Sequence, residues 1–114
     1  MVKNGVMAVG EGANMPTTNE AIQYFLSQNI LLAPAKAANA GGVATSALEM
    51  SQNSMRFFWT FDEVNEKLDR IMTNIFNQCQ KAAQEYNMGT NYVAGANIAA
   101  FRKIAKAMRS QGVI

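Results

Sequence analysis

Two short parallel strands followed by helices that occupy most of the chain, an α/β arrangement, are predicted for these 114 residues. Three observations carry that expectation. Two apolar runs, Val6-Met7-Ala8-Val9 and Ile30-Leu31-Leu32-Ala33, each lead into a small-residue stretch and then a helical pattern, and successive strand-loop-helix units build parallel sheets. The second half shows 3.6-residue apolar periodicity with capping signals. With 49% hydrophobic and 16% charged residues, the chain suits one ordered domain with an apolar core.

Taken in order, Val2-Lys3-Asn4-Gly5 reads like the last turn of a helix with Gly5 as its C-terminal cap. No helix precedes it, so the chain is expected to begin in the middle of a larger fold. Val6 to Val9, followed by Gly10 and Gly12, has the look of a parallel strand buried on both faces. Thr17 is expected to open the first helix, with Glu20 three residues on as its capping-box partner and Ala21, Ile22, Phe25 and Leu26 as the apolar face. The Ile30 to Ala33 strand is stopped by Pro34, and a polar, glycine-containing loop through Asn39, Gly41 and Gly42 enters another helix. A sheet of two strands with both edges free is marginal, so it should continue in residues outside this sequence.

The rest reads as helix. Thr60 is the N-cap, Glu63 its reciprocal partner and Trp59 a staple onto Val64, and Val64, Leu68, Ile71, Met72, Ile75 and Cys79 keep helical spacing. This helix runs past Ala83 to a break at Asn87-Met88-Gly89. A final helix from about Val93 is expected to bury Ile98, Phe101, Ala105 and Met108 and to stop at Gly112. The eight methionines are read as gap-filling in a helical core.

Composition excludes several function classes. There is no histidine and Cys79 is the only cysteine, which removes a zinc site, a histidine general base and Ser-His-Asp or Cys-His nucleophiles within this chain. A net charge of +2, from ten basic and eight acidic residues, points to neither nucleic acid nor membrane. No stretch resembles a signal peptide or a membrane span, and the expected setting is cytoplasmic and reduced.

In parallel sheets the loops leaving the carboxyl ends of the strands share a crevice where ligands bind. Here those loops are Glu11 to Thr18 and Lys36 to Ser46, both rich in small and amide residues. Their glycines let backbone N–H groups approach a ligand, and the helix start near Gly42 favours an anion. The plainer readings stand beside this one. Asn14 and Asn39 are also typical turn formers, Ser46 can bond back to a carbonyl of its own helix, and Lys36 is either solvated or a supporting charge. Glu63, Glu66, Lys67, Asp69 and Arg70 fit a solvated face with local ion pairs, and Cys79 fits an inert core thiol. Arg102, Lys106 and Arg109 read as a solvated stripe opposite the apolar face that compensates the helix dipole.

Four segments, Glu11 to Thr18, Lys36 to Val43, Glu49-Met50-Ser51-Gln52-Asn53 and Asn91 to Ile98, together resemble the C-terminal region of bacterial hexameric NAD(P)-dependent glutamate dehydrogenases. That resemblance spans the whole chain. It implies the C-terminal part of a Rossmann-like, doubly wound dinucleotide-binding domain, and a reaction between L-glutamate, 2-oxoglutarate and ammonia with NADP or NAD. By the same resemblance Asn14 and Asn39 are cofactor-binding, at the nicotinamide end, and Val43 and Ser46 are substrate-binding, Ser46 donating to the distal carboxylate of glutamate. Residues 1–58 would be partial Rossmann-like units bearing the cleft loops. Residues 59–114 would be C-terminal helices packing on them and towards an N-terminal domain, the segment from Asn91 coupling cleft closure.

The family's catalytic lysine and aspartate and its glycine-rich dinucleotide fingerprint lie in earlier sequence, so no catalytic residue is assigned here and the isolated chain is expected to be inactive. The parent is expected to be a homohexamer. The piece alone is expected to self-associate through apolar surface around Val6, Val9, Ile30 and Leu32. The competing expectation is a free-standing, non-catalytic α/β interaction module. A leucine, valine or phenylalanine dehydrogenase is disfavoured, since an apolar pocket gains little from Ser46.

Overall fold

A computed structural model describes residues 1–112. Val2–Asn4 form a single 3-10 turn closed by Gly5, whose left-handed backbone (φ 75°) suits a residue without a Cβ. There follow β1 (Ala8–Gly10), α1 (Asn19–Ser27), β2 (Leu31–Ala33), α2 (Ala35–Ala38), α3 (Ala40–Met55), α4 (Phe61–Glu85) and α5 (Tyr92–Gln111). The strands pair in parallel, Ala8 opposite Leu31, Val9 opposite Leu32 and Gly10 opposite Ala33. The expected two-strand, mostly helical α/β arrangement is what forms.

Neither strand is buried on both faces, contrary to expectation. β2 alternates exposed, buried, exposed, and Met7 ahead of β1 is 83% exposed. Ile30 and Leu32 fall on the covered side and are buried, Leu32 completely, so they are not the apolar surface expected at the sheet. Leu31, one residue out of phase, is on the open side. There Ala8, Leu31 and Ala33 face Met72, Ile75, Phe76 and Cys79 of α4 and Tyr92 of α5 across an apolar pocket of about 400 Å³.

The first helix is capped by Thr18, not Thr17: its hydroxyl accepts from Ala21 N–H at 3.3 Å. Glu20 therefore sits in the first turn rather than at the reciprocal position. Residues 36–46 form no open loop either. Helix resumes directly after Pro34, and Asn39 both ends α2 and begins α3, so Gly41 and Gly42 lie in a first helical turn. The alanine-rich Ala35 to Ala40 segment favours helix strongly enough to outweigh two glycines placed after it.

α4 has the expected capping box, with both the Thr60 hydroxyl and the Glu63 carboxylate engaged, and it ends at Glu85. α5 packs along it, but by a different face from the one expected. Gly95 and Ala96 are buried, whereas Phe101 is 69% and Met108 42% exposed. A Cβ on Gly95 would lie 2.3 Å from the Cys79 carbonyl oxygen, so the glycine is what lets the two backbones touch. Beyond that crossing Phe101, Ile104 and Met108 of α5 are all exposed.

The result is a slab of 51 × 42 × 22 Å with a radius of gyration of 16.8 Å, against about 13 Å for a compact domain of this length. Its accessible surface is 8649 Å², where a folded monomer of this mass exposes roughly 6,100 Å². The core is small: Phe25, Ile30, Leu32 and Ala35 on one side, and Cys79, Ala82, Ala83 and Ala96 at the α4–α5 crossing.

Candidate functional site

The carboxyl ends of both strands lead into the segments that carry the candidate residues. Glu11 N–H donates to the Ala33 carbonyl at 3.2 Å and so extends the parallel ladder one step beyond Gly10. Its carboxylate, only 4% exposed, accepts from Ala35 N–H at 2.9 Å through Oε2, while Oε1 is buried and has no hydrogen-bond partner among the described residues. Three residues later the chain reaches Asn14, and the Asn39 side chain donates from Nδ2 to Asn14 Oδ1 at 2.6 Å. The two amides assigned from sequence to one ligand are thus brought together, and neither caps a helix with its side chain.

Asn39, Val43 and Ser46 stand at i, i+4 and i+7 and share one stripe of α3. Val43 is 71% exposed, and Ser46 is exposed with its hydroxyl donating to the Gly42 carbonyl at 3.3 Å. That is the helix-internal bond, formed when no other acceptor is at hand. Cβ positions at Gly10, Gly12 and Gly42 would meet nothing within 4 Å. The space beside the strand ends and the first turn of α3 is therefore open to a ligand.

Lys36 is exposed to solvent but has a partner: its Nζ donates to Asn97 Oδ1 and ties the strand-end segment to α5 across 61 residues of sequence. Gln52 in α3 accepts from Trp59 N–H at 2.8 Å and fixes the turn into α4. Arg102 also has a partner, Glu85, at 2.5 Å, and this contact raises the guanidinium pKa further. It lines a groove with Ile98, Phe101, Lys106 and Arg109, so the basic stripe borders apolar residues instead of standing opposite them. Glu66 and Arg70 pair at 2.5 Å on the exposed face of α4, as expected. Cys79 is buried and its thiol pKa is pushed up by that burial, which makes it a poor nucleophile.

Reasoning from the sequence missed Glu11 and Asn97. The sequence shows Glu11 only as an acidic side chain at the end of an apolar strand; the helix start it meets, Ala35 of α2, lies 24 residues further on, beyond α1 and β2. For Asn97 there was no local signal, since its partner lies in a different element. No helix among the described residues is long and apolar enough to cross a membrane.

Residues 1–112 match the model of the Glutamate/Leucine/Phenylalanine/Valine dehydrogenase family. The chain is 56% identical over its full length to the NADP-specific glutamate dehydrogenase of Salmonella typhi, covering 25% of that protein. It is 53% identical to the NAD-specific glutamate dehydrogenase of Clostridium symbiosum, with 99% of this chain and 25% of that protein aligned. The crystal structure of Plasmodium falciparum glutamate dehydrogenase superposes with a TM-score of 0.92 at 53% identity, over 98% of this chain and 24% of the other. The chain thus spans about a quarter of the length of the relatives it matches.

Proposed function

This chain belongs to the Glutamate/Leucine/Phenylalanine/Valine dehydrogenase family, and we propose that it forms one wall of the catalytic cleft of a glutamate dehydrogenase. The reaction is the interconversion of L-glutamate with 2-oxoglutarate and ammonia, using NADP or NAD. The observation that carries this reading is the Asn14–Asn39 amide pair at the strand ends, standing at the head of the stripe that holds Val43 and Ser46.

The residues present fit the nicotinamide end of a coenzyme. With Asn39 Nδ2 donating to Asn14 Oδ1, the pair still offers the Asn14 amide donors and the Asn39 carbonyl, which suits ribose hydroxyls and a carboxamide. The coenzyme supplies the hydride acceptor or donor. A stripe from Asn39 to Ser46 is about 10 Å long at 1.5 Å per residue, which spans the distance from a nicotinamide ring to the far carboxylate of glutamate. Val43 gives that carboxylate's methylene chain an apolar wall. The Ser46 hydroxyl, turning from the Gly42 carbonyl, donates to the carboxylate itself.

Proton transfer rests on side chains outside these residues. Glu11 is buried against Ala35, and Lys36 is held by Asn97. Residues 1–58 on this reading bear the cleft, and residues 59–114 brace it, α5 reaching the strand-end segment through Asn97 and Lys36. We further propose that the complete enzyme is a homohexamer, as the sequence resemblance implies.

A chimera tests the assignment. In it, this chain replaces the matching quarter of a glutamate dehydrogenase relative, and glutamate-dependent reduction of NADP and NAD is measured beside the 114-residue chain alone. Turnover by the chimera and none by the isolated chain is the expected result. A folded chimera without turnover overturns the reading, and turnover by the isolated chain overturns the division of labour.

A further inference from the structure

We propose that Glu11 is a positioning residue that holds the Asn14–Asn39 amide pair in place and thereby sets coenzyme affinity, an inference whose coenzyme half rests on the function proposed above. Two cross-links join the segments that leave the strands, Glu11 to Ala35 at 2.9 Å and Asn14 to Asn39 at 2.6 Å. They are three residues apart on the first segment and four apart on the second. Glu11 therefore closes one end of a small ring whose other end is the amide pair. Residues between Glu11 and Thr18 belong to no helix or strand, and Met15 among them has a left-handed backbone (φ 48°) and is 88% exposed. What fixes the reach of Asn14 is the Glu11 anchor on one side and the Asn39 contact on the other.

Simple packing does not account for Glu11. A buried carboxylate loses hydration, and an apolar side chain of similar volume would fill the site without that penalty. The carboxylate does two things an apolar group cannot: it accepts the Ala35 N–H, which as the first N–H of a helix has no acceptor within it, and it lends negative charge to the start of a helical segment. Both effects fix α2, whose last turn ends on Asn39. Glu11 Oε1, buried and without a partner among the described residues, keeps capacity for one more donor in the same spot.

Two measurements test the proposal. The first follows the Asn39 side-chain amide and the Ala35 backbone amide by NMR in the 114-residue chain carrying Glu11→Ala, Glu11→Asp or Glu11→Gln. Ala and Asp, which cannot reach Ala35, should move the Asn39 resonance to the free-amide position and expose Ala35 to hydrogen exchange. Gln keeps an acceptor of the same reach and should rescue both signals. An unchanged Asn39 resonance in the Asp variant, or no rescue by Gln, overturns the proposal, and the Asp–Gln comparison decides even where the Ala variant does not fold.

The second is steady-state kinetics of the same variants in the chimera. Misplacing a binding group by an ångström or so is costly, so Glu11→Asp should raise the coenzyme KM roughly tenfold while the glutamate KM changes far less. A coenzyme KM that stays put while the Asn39 resonance shifts overturns the link to coenzyme binding. If the parent chimera shows no coenzyme-dependent turnover, the proposed function fails, and the NMR comparison still decides whether Glu11 holds the amide pair.

Discussion

Asn39 and Asn14 are bonded side chain to side chain, Nδ2 to Oδ1 at 2.6 Å, across 25 residues of sequence. The bond joins the segments leaving the two strands, so each amide fixes the orientation of the other. Replacing either by alanine should raise the coenzyme KM of the chimera, and the double variant should be less than additive. Contacting residues couple by about 0.5–3 kcal/mol. A double-mutant cycle on coenzyme KM checks this, and strict additivity would show that the pair does not act as a unit.

Ser46→Ala should lower kcat/KM for glutamate. A hydrogen bond to a charged carboxylate is worth about 1.5–3 kcal/mol, equivalent to roughly 10- to 150-fold. If efficiency is unchanged, Ser46 has no role beyond its bond to the Gly42 carbonyl.

Gly95→Ala should destabilise the chain sharply. The added methyl would meet the Cys79 carbonyl oxygen at 2.3 Å and Ala83 Cβ at 3.1 Å, and the first of these is backbone that cannot rotate away. Overpacking of this kind costs about 1–3 kcal/mol, and thermal melts of both chains give the difference. An unchanged melting temperature would mean that α4 and α5 do not touch at this point.

The Glu63 carboxylate is held below its ordinary value near 4.5, chiefly by the Thr60 backbone N–H and then by the Thr60 hydroxyl. Because the native pKa is the lower one, the unfolded chain binds more protons in the window between the two. The stabilisation is therefore complete above the unfolded value and fades as pH falls through the native one. Glu63→Gln should lower stability near neutrality and converge with the parent in acid. Denaturant midpoints from pH 7 down to pH 3 supply the test, and a constant gap across that range would rule out this carboxylate as the cause.

The isolated chain is expected to self-associate, with exposed aromatic and aliphatic residues in place of the buried Ile30 and Leu32. Surface in excess of a compact monomer is on the order of 2,500 Å², the scale of an obligate interface. Phe57 and Phe58 between α3 and α4, Phe61 at the start of α4, and Phe101 and Ile104 on α5 are each at least 60% exposed. Sedimentation at several concentrations should show mass rising with concentration. A monomer at every concentration would show that this surface is tolerated in water.

What was legible in the sequence is what depends on near neighbours. The Thr60–Glu63 capping box, the Gly5 cap, the stop at Gly112 and the length of α4 are decided within a turn of helix by hydrogen bonds and backbone sterics. The candidates Asn14, Asn39, Val43 and Ser46 were assigned through the resemblance to glutamate dehydrogenases, which contiguous segments after the two strands carry. Burial is another matter, since it depends on which distant element arrives. Periodicity alone put Phe101 and Met108 of α5 in a core, yet only the crossing with α4 decides, and it selects Gly95 and Ala96 because two backbones meet there. The same holds for Leu31 against Leu32, for the bond from Lys36 to Asn97, and for the burial of Glu11 under Ala35. Each is a contact between residues far apart in the chain, fixed by the packing of whole elements, and no local pattern encodes it.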